Sequence, residues 1–465
     1  QVMTMRHWIT SFRKNCCESN IGQRAAFDKP LLNRFFVARP TVPGELRGRP
    51  ENERRMDAPK TLSTRVVVAG GGPAGMMCGF LLARAGIDVV VLEKHKDFFR
   101  DFRGDTVHPA TLNAIAELGL LEDFRKLPHQ ELKDVAAEIE GVMYPAGDFR
   151  HLPGRAKFIA LMPQWDFLNF LAEKAKAFAH FRLMMEAKAV DLIEVDGKVA
   201  GLVVETREGT LRIEADLVIG ADGRHSTIRE KAGFTPLELG APIDVLWLRL
   251  PRKDGDPEAV LGRVSAGLLF VMIDRGDYWQ CAFVVPKGGF DDIKREGIGA
   301  FHARLKKAAG FAADRIDAIK SFDDVSLLTV TVDRLPQWAK PGLLCIGDSA
   351  HAMSPVGGIG INLAIQDAIA TANLLWKPLA NGKPSLDDLD KVQARREFPV
   401  KVTQAAQVAI QSRIIAPALH STMPLKPPFA LKLLKAAPFL RVIPAYAVGI
   451  GLRPEHIHSP DRTTP

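Results

Sequence analysis

Four short apolar runs lack the polar alternation of a half-exposed strand: Val66-Val67-Val68-Ala69, Val89-Val90-Val91-Leu92, Leu217-Val218-Ile219 and Leu343-Leu344-Cys345-Ile346. Such runs predict strands covered on both faces, as in a parallel sheet. Between the first two, helical spacing from Met76 to Ala85 stops at Gly86, in the position of a C-terminal cap. Further helices are predicted from Trp165 to Ala179 and from Ile361 to about Trp376. Asp196-Gly197 and Glu208-Gly209 mark turns between strand-like segments ahead of Leu217. After Asp222 the pattern becomes β-rich. Val245–Leu250, Leu268–Ile273, Gln280–Val285 and Ser326–Val332 read as strands, the middle pair joined by a hairpin at Arg275-Gly276-Asp277, with a helix over Ile298–Ala309. The fold class predicted is α/β, with a β-rich region lying between the third and fourth buried runs and a helical C-terminal tail.

The chain has 465 residues, enough for two domains, and its 47% hydrophobic and 25% charged content excludes a disordered chain or a disulfide scaffold. No apolar stretch approaches 18 residues, which argues against a spanning helix. Cys16, Cys17, Cys78, Cys281 and Cys345 form no C-x-x-C pair, which suits a reducing, cytoplasmic setting. The formal charge of +8 sits at the two ends, with a balance of +6 in residues 1–55 and +7 in residues 395–465. The body between them is net acidic, so no nucleic-acid partner is expected. Residues 1–60 read as a disordered leader. Met56-Asp57-Ala58-Pro59-Lys60 resembles a natural chain start, and Glu18, Asp28, Glu45, Glu51 and Glu53 argue against a transit peptide. In the tail, apolar clusters alternate with bases and prolines, as in Phe429–Lys435 and Phe439–Pro444. This pattern is read first as helices packed on the body or on a second subunit, with a basic amphipathic surface at a membrane as the alternative.

The candidate chemistry lies at the ends of the apolar runs. Gly70-Gly71-Gly72-Pro73-Ala74-Gly75 follows the first strand and opens a helix, and Glu93 ends the second strand 18 residues after Gly75. Gly70 permits the tight turn, Gly72 lets backbone approach a pyrophosphate, and Gly75 lets helix and strand pack closely. The helix start offers free N–H groups and positive potential, and an acid at Glu93 suits a ribose diol while repelling a 2′-phosphate. Asp222-Gly223 and Gly347-Asp348 end the third and fourth runs, where an aspartate can hold a polyol or cap the next helix. Gly357-Gly358-Ile359-Gly360 precedes the long helix and aims N–H groups at an anionic edge. His108 and His351 stand beside these segments, and hydrogen-bonded structural roles are expected for both.

These three motifs, in this order and covering residues 64 to about 380, resemble the para-hydroxybenzoate hydroxylase fold of the group A FAD-dependent monooxygenases. The resemblance implies that Gly70, Gly72, Pro73, Ala74 and Gly75 cradle the FAD pyrophosphate, with Arg103 near it. It implies Glu93 on the adenosine ribose and Asp348 on the ribityl chain. Gln164 would contact the phosphate–ribityl region, Asp222 would support both FAD and NAD(P)H, and Gly360, Ile361 and Asn362 would meet the isoalloxazine. The implied organisation is a three-layer, Rossmann-like FAD-binding domain of residues 61–135, 161–236 and 337–394, with a β-rich insertion. A substrate domain takes 136–160 and 237–336, and the tail 395–465. Trp247, Arg249, Phe270 and Met272 are candidate pocket residues. The implied reaction uses NAD(P)H, bound transiently, and O2 to hydroxylate an aromatic or other apolar small molecule through a flavin C(4a)-hydroperoxide, with no metal. A flavin-dependent prenyl reductase and a catalytically silent FAD-binding protein are the alternatives.

Overall fold

A computed structural model describes residues 60–99, 106–257 and 261–462. Residues 1–59 of the leader and Arg103 lie outside the described residues, while Lys60, assigned to the leader from the sequence, begins the first strand. The first domain is built on a sheet in which strands Leu343–Cys345, Gly209–Gly220, Lys60–Ala69, Val89–Leu92 and Phe181–Met184 lie side by side and parallel. Side chains of a strand point alternately to its two faces, and these runs supply both. Val66, Val68, Val89 and Val91 pack under the helices Pro73–Arg84, Gln164–Ala175 and Gly360–Asn381. Val67, Ala69, Val90 and Leu92 pack against the antiparallel strands Lys188–Val195 and Lys198–Thr206. That is the three-layer arrangement the continuous apolar runs required.

The second domain is a seven-stranded sheet in the order Ser326–Leu328, Ile243–Pro251, Tyr278–Pro286, Leu268–Asp274, Leu261–Ser265, Asp134–Ile139 and Val142–Asp148. The hairpin at Arg275–Asp277 and the helix Ile298–Ala309 form as the sequence predicted. Alternation decides what each face meets. Leu246, Leu248, Phe270, Met272 and Phe283 pack on the helices Gly289–Glu296 and Ile298–Ala309. Val245, Trp247, Leu269, Val271 and Val284 face the other way, toward Val330, Val356, Ile415 and Leu419. Phe270 and Met272 are therefore core, fully buried beneath their own domain's helices, and not pocket residues.

One helix, Leu386–Ile410, starts at a Ser385/Asp388 capping box and runs through residue 395. The boundary drawn there from the sequence falls inside a continuous helix, because a change in net charge along the chain does not interrupt the backbone hydrogen bonding of a helix. Beyond it the tail divides. Ala445, Gly449, Ile450, Glu455 and Ser459 are buried on the body, whereas residues 420–444 bury no side chain.

A buried ionic network fastens the last segment. Arg396 Nε donates to Asp367 Oδ1 at 3.0 Å, and its Nη1 reaches the Arg453 carbonyl and, at 3.5 Å, Glu455 Oε1. The other Asp367 oxygen accepts from Gly347 N at 3.1 Å and pairs with His351 Nε2 at 2.6 Å. Burial pushes the Asp367 carboxyl up, but His351 and Arg396 outweigh it and hold the group below the usual carboxylate range.

Candidate cofactor and substrate site

The parallel register sets four chain segments side by side. Ala69 pairs with Leu92 on one side and Gly220 on the other, and Gly220 pairs with Cys345. The residues that follow, Gly70, Glu93, Ala221-Asp222 and Gly347-Asp348, therefore emerge together at the carboxyl edge of the sheet. Open α/β sheets bind ligands at this edge. Backbone bonds hold the edge closed: Gly70 N to the Leu92 carbonyl, Ala221 N to the Ala69 carbonyl and Ile346 N to the Gly220 carbonyl, each 2.8–2.9 Å.

Each glycine of the first turn is needed for a different reason. Gly70 has a φ of +108°, and a Cβ there would lie 2.3 Å from the Ala221 carbonyl oxygen. A Cβ on Gly75 would lie 1.9 Å from the Gly70 oxygen. A Cβ on Gly72 would meet no atom within 4 Å, and its φ of −74° suits any residue. So the fold itself dictates Gly70 and Gly75, while Gly72 keeps clear the approach to the N-terminus of the helix Pro73–Arg84. That N-terminus has no side-chain cap and no acid in its first turn. Its N–H groups and dipole suit a phosphate. A Cβ on Gly347 would touch Ala74 at 3.1 Å and Ala364 at 3.3 Å, so the Gly347-Asp348 turn packs on the start of this helix.

Glu93 lies beside Gly71 and accepts from His95 N and His95 Nδ1 at 3.0 and 3.1 Å. Asp222 is engaged locally: one oxygen accepts from the Ser226 hydroxyl and the other from Ile228 N at 3.1 Å. Its carboxylate thus caps the helix Thr227–Lys231, and burial pushes its pKa up. Asp348 is part-exposed and pairs with Arg224 Nη2 at 3.4 Å. Arg224 was overlooked in the sequence, although an arginine immediately after a strand-end Asp-Gly was a usable signal. Its Nη1 is buried and has no hydrogen-bond partner among the described residues, which fits a ligand oxygen at this point. Arg229 Nη2 holds the Arg224 carbonyl at 2.6 Å.

The glycine-rich approach to the long helix forms the other wall. Thr106 Oγ1 donates to the Gly358 carbonyl at 3.0 Å, and Thr111 Oγ1 donates to the buried Asn362 amide oxygen. Gly360 and Ile361 stand between these contacts, at the first turn of Gly360–Asn381. Gln164 opens its helix three residues beyond Leu161, which pairs with Thr106. Val356 leads from this loop to the apolar face of the second sheet, where Trp247, Ala282 and Val271 stand in register across three strands. Arg249 lies one alternation further along, its guanidinium 4.7 Å from the Tyr278 ring centre.

His108 is fully buried beside this loop, and its Nδ1 donates to the Val448 carbonyl at 2.9 Å. Burial pushes its pKa down from 6.5 to about 4, against the Val448 and Gly358 carbonyls, which act to raise it. It is a structural tie between loop and tail, and His351 is likewise held by Asp367. In the unfolded chain His108 gains its proton as pH falls below 6.5, whereas the folded protein stays neutral there until about 4. Stability is therefore expected to fall across that window, by up to about 3 kcal/mol. Denaturant midpoints measured from pH 7 to 4 should show this slope, and His108→Phe should flatten it.

Among the described residues no group of three or more His, Cys, Asp or Glu side chains could hold a metal ion, and Cys78, Cys281 and Cys345 are buried free thiols. The residues present fit FAD. The open approach over Gly72, the uncapped helix N-terminus and the unpartnered Arg224 Nη1 all converge on one edge of the sheet.

The FAD binding domain family matches residues 63–406. The 6-methylpretetramide 4-monooxygenase of Streptomyces rimosus is 33% identical over 389 residues, 83% of this chain and 92% of that protein. A dialkyldecalin synthase of Streptomyces rugosporus is 26% identical over 70% of this chain and 68% of its own length. Among solved structures, the OxyS anhydrotetracycline hydroxylase of Streptomyces rimosus superposes with a TM-score of 0.64 at 21% identity, covering 83% of this chain and 76% of that one, and so shares the fold. With its fingerprint, strand-end aspartates and glycine-rich helix start gathered at one sheet edge, this chain belongs to the FAD binding domain family and is an FAD-dependent oxidoreductase of the para-hydroxybenzoate hydroxylase type.

Proposed function

We propose that this protein uses NAD(P)H and O2 to hydroxylate an aromatic or similarly apolar small molecule. One observation carries the reading: the cofactor edge of the first sheet is joined, through Val356, to an apolar sheet face bearing Trp247 and Val271. Apolar walls with a few polar groups suit an aromatic ligand. The monooxygenase that shares a third of its residues with this chain supports the reaction class.

FAD, when bound, supplies the electron transfer from NAD(P)H and the activation of O2. In our reading the protein supplies position and polarity. Glu93 accepts from the adenosine ribose hydroxyls. The turn Gly70–Gly75 and the helix start at Pro73 and Ala74 receive the pyrophosphate, with Gln164 close to the phosphate–ribityl region. Asp348 accepts from the ribityl hydroxyls while Arg224 offers its spare N–H. Gly360, Ile361 and Asn362 present backbone groups to the isoalloxazine, and Asp222 acts indirectly by fixing the turn that carries Arg224. Trp247 stacks on the substrate's ring and, with Val271, excludes water.

Product mass after turnover under labelled O2 tests the reaction, and the product should gain one labelled oxygen atom. Substrate-dependent NAD(P)H oxidation without that gain would instead favour a reductase, and product formation with neither NAD(P)H nor O2 would place the chain with its synthase relative. Trp247→Ala should raise KM for an aromatic substrate about tenfold, the loss of roughly 1.4 kcal/mol of ring contact, while leaving flavin content unchanged.

A further inference from the structure

Residues 420–444 include the helix Phe429–Ala436, the turn Pro438–Arg441 and the start of the helix Val442–Gly449, yet not one of them is buried. The segment is far from polar. Met423, Phe429, Phe439 and Ile443 are between 63% and 77% exposed. Of the 18 large hydrophobic side chains exposed among the described residues, 11 lie between Phe398 and Leu452. Soluble surfaces scatter such residues singly, so this concentration marks an interaction face.

The segment lies along Val142–Asp148, the last strand at one edge of the seven-stranded sheet. That strand adds exposed Val142 and Met143 to the patch, and Lys435 Nζ stands 5.0 Å from the Tyr144 ring centre. The segment's own charge is of one sign, with Glu140 of the neighbouring hairpin engaged by Leu425 N at 3.0 Å. Between Glu397 and Glu455 the sequence has seven Lys and Arg residues and no acid. Lys426, Lys432 and Lys435 are exposed, and no ion pair among the described residues involves them.

We propose that this strip docks on an anionic lipid bilayer, its aromatic and aliphatic side chains in the interface and its lysines at the headgroups. Unpaired bases around exposed apolar side chains match that partner on both counts. A second copy of the chain matches it poorly, because a two-fold contact would set an acid-free basic strip against itself. The contact is peripheral, since no described helix is long and apolar enough to cross a membrane. The proposal does not depend on the reaction assigned above.

The test is flotation of the full, FAD-loaded chain with phosphatidylcholine vesicles, alone and with about one-third phosphatidylserine. Binding is expected only to the anionic vesicles and should fall as salt rises. The Phe429→Ser, Phe439→Ser and Ile443→Ser triple variant should lose about tenfold or more in partitioning, with flavin content unchanged. Lys432→Glu with Lys435→Glu should remove most of the salt-dependent part. Failure to float with anionic vesicles at low salt, equal flotation with neutral ones, or undiminished binding by the triple variant would each overturn the proposal. So would light scattering that shows a dimer broken by the triple variant while neither protein binds vesicles, since the strip would then belong to a second copy.

Discussion

A Gly72→Val protein is expected to fold normally and to purify colourless. The position has an ordinary extended conformation, and the added Cβ touches nothing in the protein, so stability should change by less than about 0.5 kcal/mol. The side chain does stand where a pyrophosphate must approach the start of the helix Pro73–Arg84. FAD affinity should fall at least roughly a hundredfold, read by flavin fluorescence titration of the apoprotein. Gly75→Val is the contrasting control. Its Cβ would lie 1.9 Å from the Gly70 oxygen, so that variant should lose the fold along with the flavin. Wild-type FAD affinity in Gly72→Val would place the cofactor elsewhere.

Arg396→Met should be the most damaging single change away from the cofactor. The guanidinium is 1% exposed and lies between Asp367 and Glu455, themselves 0% and 1% exposed. Removing it leaves the buried Asp367 carboxylate with His351 as its one remaining ionisable partner among the described residues, while Glu455 keeps Arg395 at 2.8 Å. Breaking a buried pair in this way costs about 3–5 kcal/mol, even where the intact pair adds little net stability. Thermal denaturation should show the loss in both apo and FAD-loaded protein. The loaded form should suffer twice over, because the same Asp367 carboxylate holds Gly347 N, the residue before Asp348. Arg396→Lys keeps the charge but not the forked donor, and should recover only part of the loss. A melting temperature in Arg396→Met within a degree or so of wild type would show the network to be dispensable.

Local structure was legible wherever a short run of residues fixes its own geometry. The strand, turn and helix at Val66–Arg84, the hairpin at Arg275–Asp277 and the helix Ile298–Ala309 depend on side-chain period and turn chemistry, which are properties of neighbours in the chain. Family membership followed from three such segments in a fixed order. The helix Leu386–Ile410 shows the limit, because a shift in composition at residue 395 looks like a boundary although the backbone runs on unbroken.

What tertiary structure decided was which of these segments meet. Gly220 lies beside Ala69, and Cys345 beside Gly220, only because the sheet orders its strands out of chain order, and no local pattern encodes that order. That order sets Arg224 against Asp348, 124 residues away, while local hydrogen bonds turn Asp222 into a cap. It also decides what each face of the second sheet packs against. Alternation said that Trp247 and Leu248 point opposite ways, but only the helices packed over Leu248, Phe270 and Met272 make theirs the core and leave Trp247 on the face toward Val356. The tail divides for the same reason. Its segments are similarly apolar, but those up to Leu419 and from Ala445 onward find a surface on the body that buries them, and residues 420–444 do not.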